Sequence, residues 1–189
     1  SLFVKAPTQW EYSSEKEAFP LSSVRKQFYR LDLKHGYRME HIPTLIRLPN
    51  YGGIDGNIST ALGIATARPS TTAIIGDLAF LHDLTGLVGN TSANLRIIAI
   101  NNDGGGIFST LPQAGVAGFE TVFGTPHGLK PAEIAKAMGI SAKEISSIKE
   151  LEAEIKAPIS GISVVVCNVP DRESNASNLK AIYNSLNSM

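Results

Sequence analysis

Residues 71–102 read TTAIIGDLAFLHDLTGLVGNTSANLRIIAINN, and this stretch decides how the chain is organised. Thr71 to Ile75 is a short apolar, β-branched run that ends in Gly76-Asp77. Leu78 to Val88 changes to helical spacing, with Leu81, Leu84, Leu87 and Val88 on one face. Asn90 to Ser92 reads as a turn, and Leu95 to Ile100 as a second buried strand closing in Asn101-Asn102. Apolar strands joined through a helix pair in parallel, because a parallel connection needs a crossover long enough to return along the sheet.

The same alternation extends outward. Gly56 to Ala67 places Ile58, Ala61, Leu62 and Ala65 at helical intervals. Pro69 and Ser70 interrupt it. Pro131 to Met138 opens with proline in the first turn and closes at Gly139, the expected asymmetry of a helix. Ile148 to Ile155 is a further helix, Ile162 to Val169 a third buried strand, and Ser174 to Leu186 a final helix. The expected fold is α/β: a doubly wound, mostly parallel sheet with helices on both faces. Leu2 to Val4 and Thr44 to Leu48 are candidate strands, and the basic stretch between them reads as mixed helix and loop.

Composition narrows the function. The chain has 189 residues and 43% hydrophobic content, enough for one domain with a core. Lys+Arg 17 balance Asp+Glu 17, which argues against a surface built to coat nucleic acid or an anionic membrane. The single cysteine, Cys167, lies in an apolar run and reads as a core residue. No apolar run approaches the roughly 20 residues of a transmembrane helix. No leader peptide is legible, so the expected compartment is the cytoplasm. The chain starts without Met on a strand-like tetrapeptide, from which an upstream part is expected.

Ligands of open parallel sheets bind beyond the carboxyl ends of the strands. Asp77 and Asn102 stand at two such ends, 25 positions apart, the length of one crossover. A carboxylate beside a carboxamide suits a hard cation such as Mg²⁺, which takes oxygen ligands and shares them with phosphate. The carbonyl of Gly104 is the candidate third ligand. The helix after Asp77 directs its N-terminus at the same place, and the run Gly104-Gly105-Gly106 allows close approach of backbone to an anion. Other phosphate and nucleophile signatures are missing: there is no G-x-x-x-x-G-K-[ST] and no G-x-S-x-G. His35, His41, His82 and His127 are scattered without metal-ligand spacing and read as surface or hydrogen-bonded residues.

Gly76-Asp77 followed by Asn101-Asn102 resembles the signature of thiamine diphosphate (ThDP) enzymes. The flanking residues are most similar to the C-terminal, diphosphate-binding domain of the menaquinone-pathway synthase family, MenD. They are Gly53-Ile54-Asp55-Gly56, Phe80-Leu81-His82-Asp83, Asn101 through Pro112, and Phe123-Gly124-Thr125-Pro126-His127-Gly128-Leu129. The likeness is concentrated between residue 53 and about residue 140. Residues 1–52 match the family's domain poorly, and 53–189 form its ThDP-binding part, without the upstream pyrimidine-binding and middle domains.

The resemblance implies the following roles. Asp77, Asn102 and the Gly104 carbonyl would ligate Mg²⁺ or Mn²⁺. Gly76, Leu78, Ala79, Gly105 and Gly106 would line the diphosphate through backbone. Ile54 would lie under the bent cofactor, and Ile107 beside it. Ile107, Phe108 and Leu111 would line the substrate pocket. The implied reaction decarboxylates 2-oxoglutarate and adds the succinyl-semialdehyde unit to isochorismate. The implied assembly is a homodimer or homotetramer. In it the activating glutamate comes from the N-terminal pyrimidine-binding domain of a neighbouring subunit, so no catalytic residue is expected on this chain and it should be inactive alone. A ThDP enzyme acting on another 2-oxo acid, and a truncated non-catalytic copy, are the alternatives. The segment before Gly53 lacks the family's expected arginine, since Leu48-Pro49-Asn50-Tyr51-Gly52 stands there; this bears on substrate recognition more than on the cofactor.

Overall fold

The computed structural model describes residues 3–5, 45–47, 54–68, 70–89 and 92–187. The expected mixed region before Thr44, the ends of the first two expected strands, Gly53, Pro69 and the turn residues 90–91 lie outside the described residues. The elements are β1 (Phe3–Lys5), β2 (Leu45–Arg47), α1 (Asn57–Ala67), β3 (Thr71–Gly76) and α2 (Asp77–His82). They continue with β4 (Leu95–Asn101), α3 (Pro131–Ala137), β5 (Ser141–Ile145), α4 (Ile148–Lys156), β6 (Ile162–Asn168) and α5 (Arg172–Asn187).

The sheet runs β2-β1-β3-β4-β6-β5. β3, β4, β6 and β5 are parallel, whereas β1 is antiparallel to both β2 and β3. The period of two in a strand divides the apolar side chains between two layers. Ala73 and Ile75, Ile97 and Ala99, and Val164 and Val166 face Ile58, Leu62, Phe80 and Ala135 from the helices α1, α2 and α3. Ile98, Val165, Ile145 and Cys167 form the other layer, against Leu151 of α4. Both faces carry helices, as continuous apolar strands require, and the doubly wound expectation holds.

Two local readings need correction. The expected helix Leu78–Val88 is broken: α2 ends at His82, and Leu84–Leu87 is a single 3₁₀ turn. The break follows from what Asp83 does. Helix α1 begins after Gly56, whose φ of +72° and missing side chain provide no local cap. Asp83, 9% exposed, accepts the Ser59 N–H at 2.8 Å and the Ser59 hydroxyl at 3.2 Å, so it satisfies a free donor in α1's first turn. A continued helix would carry that carboxylate elsewhere. The second correction is β5, which the sequence reading did not include. Its residues Ser-Ala-Lys-Glu-Ile are mostly exposed because it is the sheet's edge, where strands carry charge and lose the apolar signal.

Arg96 is the exception within the apolar strand β4. It is 4% exposed. Its guanidinium donates to the carbonyls of Ala157 at 2.6 Å, Ile155 at 3.3 Å and Pro158 at 3.4 Å. These include the open carbonyls at the end of α4, where a cation also suits the helix dipole. Burial lowers the affinity of this guanidinium for its proton, and nearby Glu154 partly restores it. Among the described residues, no helix is long and apolar enough to cross a membrane.

Candidate functional site

The register of β3 on β4 pairs Gly76 with Ile100, so Asp77 emerges level with the turn into Asn101-Asn102. Asp77 is 3% exposed. Its Oδ1 accepts the N–H of Leu78 at 2.8 Å. Its Oδ2 accepts the N–H of Gly104 at 2.9 Å and that of Asn102 at 3.3 Å. The two strand ends named from the sequence are therefore joined through the backbone of one and the carboxylate of the other.

The two asparagines separate in role. Asn101 donates from Nδ2 to Asn168 Oδ1 on β6 at 2.9 Å, and its own Oδ1 accepts the Asp103 N–H at 3.3 Å. That side chain fastens the turn. The Asn102 carboxamide lies over Gly106: a Cβ there would come within 2.1 Å of Asn102 Nδ2. The Asn102 side chain makes no hydrogen bond with the described residues, although it is half-buried.

Three glycines follow, and geometry explains them. Gly104 has φ +126°, and a Cβ on it would meet the Gly124 carbonyl at 2.3 Å. On Gly105 a Cβ would meet the Phe123 carbonyl at 2.2 Å. The run is packed flush against residues 123–125. Gly105 donates to the Gly124 carbonyl at 2.7 Å, and Gly106 to that of Gly104 at 2.9 Å. The Gly104 carbonyl retains a second lone pair.

Two residues that sequence reading did not assign to the site close it. His127, 50 positions from Asp77, places Nε2 3.2 Å from Asp77 Oδ2. Its reading as a surface or hydrogen-bonded histidine is correct in kind, and its partner was not legible. Arg172, in the first turn of α5, donates to the Asp103 carbonyl at 3.1 Å, to the Gly124 carbonyl and to Glu120. It clamps the glycine run and the 120–125 segment, a single π turn, to α5. The expected helix Ser174–Leu186 starts two residues earlier because Asp171 accepts the Ser174 N–H at 2.8 Å, which brings Arg172 into it. The hydrogen bonds of Ser174 hold the Asp171 carboxyl below the usual range. A signal was present in the motif Thr125-Pro126-His127-Gly128, but no periodicity indicates where it docks.

The other expected positions lie around this centre. Gly76 ends β3, and Ala79 is buried in α2. Ile54 is 37% exposed and accepts at its carbonyl from Asn57 Nδ2 at 2.6 Å. Ile107 is 68% exposed and Leu111 is exposed, while Phe108 packs against Phe123 in a tilted arrangement with ring centroids 5.6 Å apart. Among the described residues there is no group of three or more His, Cys, Asp or Glu side chains that could hold a metal ion. The expected ligands are of another kind: one carboxylate, one carboxamide and a backbone carbonyl.

Comparison with known proteins identifies the family. The family model described as thiamine pyrophosphate enzyme, C-terminal TPP binding domain, matches residues 29–169. The 2-succinyl-5-enolpyruvyl-6-hydroxy-3-cyclohexene-1-carboxylate synthase of Lactococcus lactis subsp. lactis (strain IL1403) is 47% identical over 117 residues, 60% of this chain and 21% of that protein. The synthase of the same name from Paenarthrobacter aurescens (strain TC1) is 35% identical over 187 residues, 93% of this chain and 32% of that protein. The chain thus spans about a fifth to a third of the length of these relatives. The crystal structure of benzoylformate decarboxylase from Polynucleobacter necessarius shares the fold, with a TM-score of 0.51 at 21% identity over 64% of this chain and 24% of that one.

Proposed function

Because this chain belongs to the thiamine pyrophosphate enzyme family through its C-terminal TPP binding domain, we propose that it supplies the diphosphate- and metal-holding half of a 2-succinyl-5-enolpyruvyl-6-hydroxy-3-cyclohexene-1-carboxylate synthase. The observation that carries this reading is the Asp77–Gly104 hydrogen bond at 2.9 Å, which brings an anionic oxygen and a glycine turn together at adjacent parallel strand ends. The relatives of that name support the choice of activity.

The donor set fits the cofactor's metal. Asp77 Oδ1, Asn102 Oδ1 and the Gly104 carbonyl are hard oxygens, the preference of Mg²⁺ and Mn²⁺. The Asn102 carboxamide has no described protein partner to lose on binding a cation. The backbone from Gly76 to Ala79 and from Gly104 to Gly106 would line the diphosphate. Bound ThDP supplies the electron sink for decarboxylating a 2-oxo acid. This chain's residues would hold and orient: Ile54 would lie against the cofactor, and Ile107, Phe108 and Leu111 would present an apolar wall to the substrate.

The substrates in this reading are 2-oxoglutarate and isochorismate. The glutamate that activates the cofactor comes from the N-terminal domain of a neighbouring subunit, so the site is completed within a homo-oligomer; the compartment in this reading is the cytoplasm.

Titration calorimetry with ThDP, in the presence and absence of Mg²⁺ and with the N-terminal half added, tests the half-site. Metal-dependent binding that disappears in Asp77→Ala is expected. Equal affinity in wild type and Asp77→Ala defeats the reading. Assay of CO₂ release from a panel of 2-oxo acids, after addition of the N-terminal half, tests the substrate. A preference for 2-oxoglutarate is expected, and its absence turns the assignment to another ThDP lyase.

A further inference from the structure

His127 is held in one orientation by its own segment. The Leu129 N–H donates to Nδ1 at 3.0 Å, which occupies the ring's lone pair there. The nearby Asp103 Oδ1, 3.5 Å from Nδ1, already accepts the N–H groups of His127 at 3.1 Å and Gly128 at 2.8 Å. A proton on Nδ1 would point at the Leu129 N–H and lose that bond. The proton therefore belongs on Nε2, which faces Asp77 Oδ2 at 3.2 Å with the ring 9% exposed. Which nitrogen carries it is set by the hydrogen bond at the other.

The consequence falls on Asp77. Its Oδ2 receives three donors, from Gly104, Asn102 and His127. Its Oδ1 receives one, from Leu78. A carboxylate oxygen offers about two lone-pair sites, so Oδ2 is saturated and Oδ1 keeps coordinating capacity. Building on the proposed metal site, we infer that His127 is a positioning residue: through Nε2–H it turns the Asp77 carboxylate so that Oδ1 is the oxygen offered to the divalent cation. A ligating carboxylate needs such an outer partner, and losing one costs metal affinity.

The experiment uses the full chain. Long-range ¹H–¹⁵N correlation spectra of the metal-free protein should show His127 with its proton on Nε2; an Nδ1–H ring overturns the inference, whatever the metal does. Titration of Mg²⁺ in the presence of ThDP should then show roughly tenfold or greater weakening in His127→Leu. His127→Gln, whose terminal amide N–H takes the place of Nε2–H, should recover most of the affinity. Circular dichroism checks that both variants are folded. Equal affinity in wild type and His127→Leu overturns the inference, as does equal loss in the Leu and Gln variants. Failure of the wild-type chain to bind Mg²⁺ with ThDP after addition of the N-terminal half sinks the functional reading, and the inference falls with it.

Discussion

Asp83 and Ser59 lie 24 positions apart, yet the Asp83 carboxylate takes the Ser59 N–H at 2.8 Å and serves as the missing cap of helix α1. The interaction joins the helix before β3 to the one after it. It also accompanies the end of α2 at His82, immediately before Asp83. Replacing Asp83 by Ala should destabilise the domain by about 1–2 kcal/mol, the usual loss for a helix cap. Asp83→Asn, which keeps an acceptor oxygen, should lose less. Urea unfolding followed by circular dichroism measures both.

Arg96 presents the reverse case, a cation closing a helix's C-terminal end. Arg96→Met retains much of the apolar stem but leaves the carbonyls of Ala157 and Ile155 without their donor. A loss of about 2 kcal/mol is expected from unsatisfied buried acceptors. Thermal unfolding at matched pH checks the value; a change within about 0.5 kcal/mol would mean that water serves these carbonyls equally well.

Two neighbouring glycines should separate folding from binding. A Cβ on Gly105 strikes the backbone carbonyl of Phe123, so Gly105→Ala should cost about 1–3 kcal/mol of stability. A Cβ on Gly106 strikes the end of the Asn102 side chain, which can swing aside. Gly106→Ala should therefore unfold near the wild-type temperature while losing Mg²⁺-dependent affinity for ThDP. Differential scanning calorimetry and binding calorimetry on the two variants read the contrast.

Arg172 should govern the mobility of the glycine run. Without its bonds to the carbonyls of Asp103 and Gly124, the Gly105 amide should exchange with solvent faster. Hydrogen-exchange mass spectrometry of Arg172→Met, compared with wild type over residues 103–125, measures this. Unchanged protection there would show that α5 does not hold the loop.

The acid limb of the stability curve should depend on the capping box at α4. Ser147 and Glu150 satisfy each other's backbone N–H groups. The Ser147 hydroxyl first, and then the Ser146 N–H, hold the Glu150 carboxyl below its ordinary value. A folded-state value below the unfolded one stabilises above the unfolded pKa and stops doing so as pH falls through the folded one. Ser147→Ala should lower stability at neutral pH, and the difference from wild type should shrink through the acid range. Denaturant unfolding at several pH values tests the sign.

Sequence legibility followed locality. β3, β4 and β6 are buried on both sides, so their residues form unbroken apolar runs and could be read directly. β5 sits at the edge with its polar side chains in water, and no pattern marked it. The pairing of Asp77 with the Asn101–Asn102 turn was legible because crossover length and strand ends together determine adjacency. What Asn101 does was not: its bond to Asn168 joins two strands 67 positions apart, whereas Asn102 lies beside Gly106 in its own turn.

By itself the order of residues determined the α/β alternation, the parallel core strands, and the pair of strand ends that carries Asp77 and Asn102. Burial repeats with the period of the local backbone, and that period is written in consecutive positions. Only the tertiary structure decided that Asp83 caps α1, that Arg172 clamps the glycine run, and that His127 supplies a third donor to Asp77 Oδ2. These are directional hydrogen bonds between residues 24 to 69 positions apart. Their geometry depends on where whole elements come to rest, which no short stretch of chain encodes.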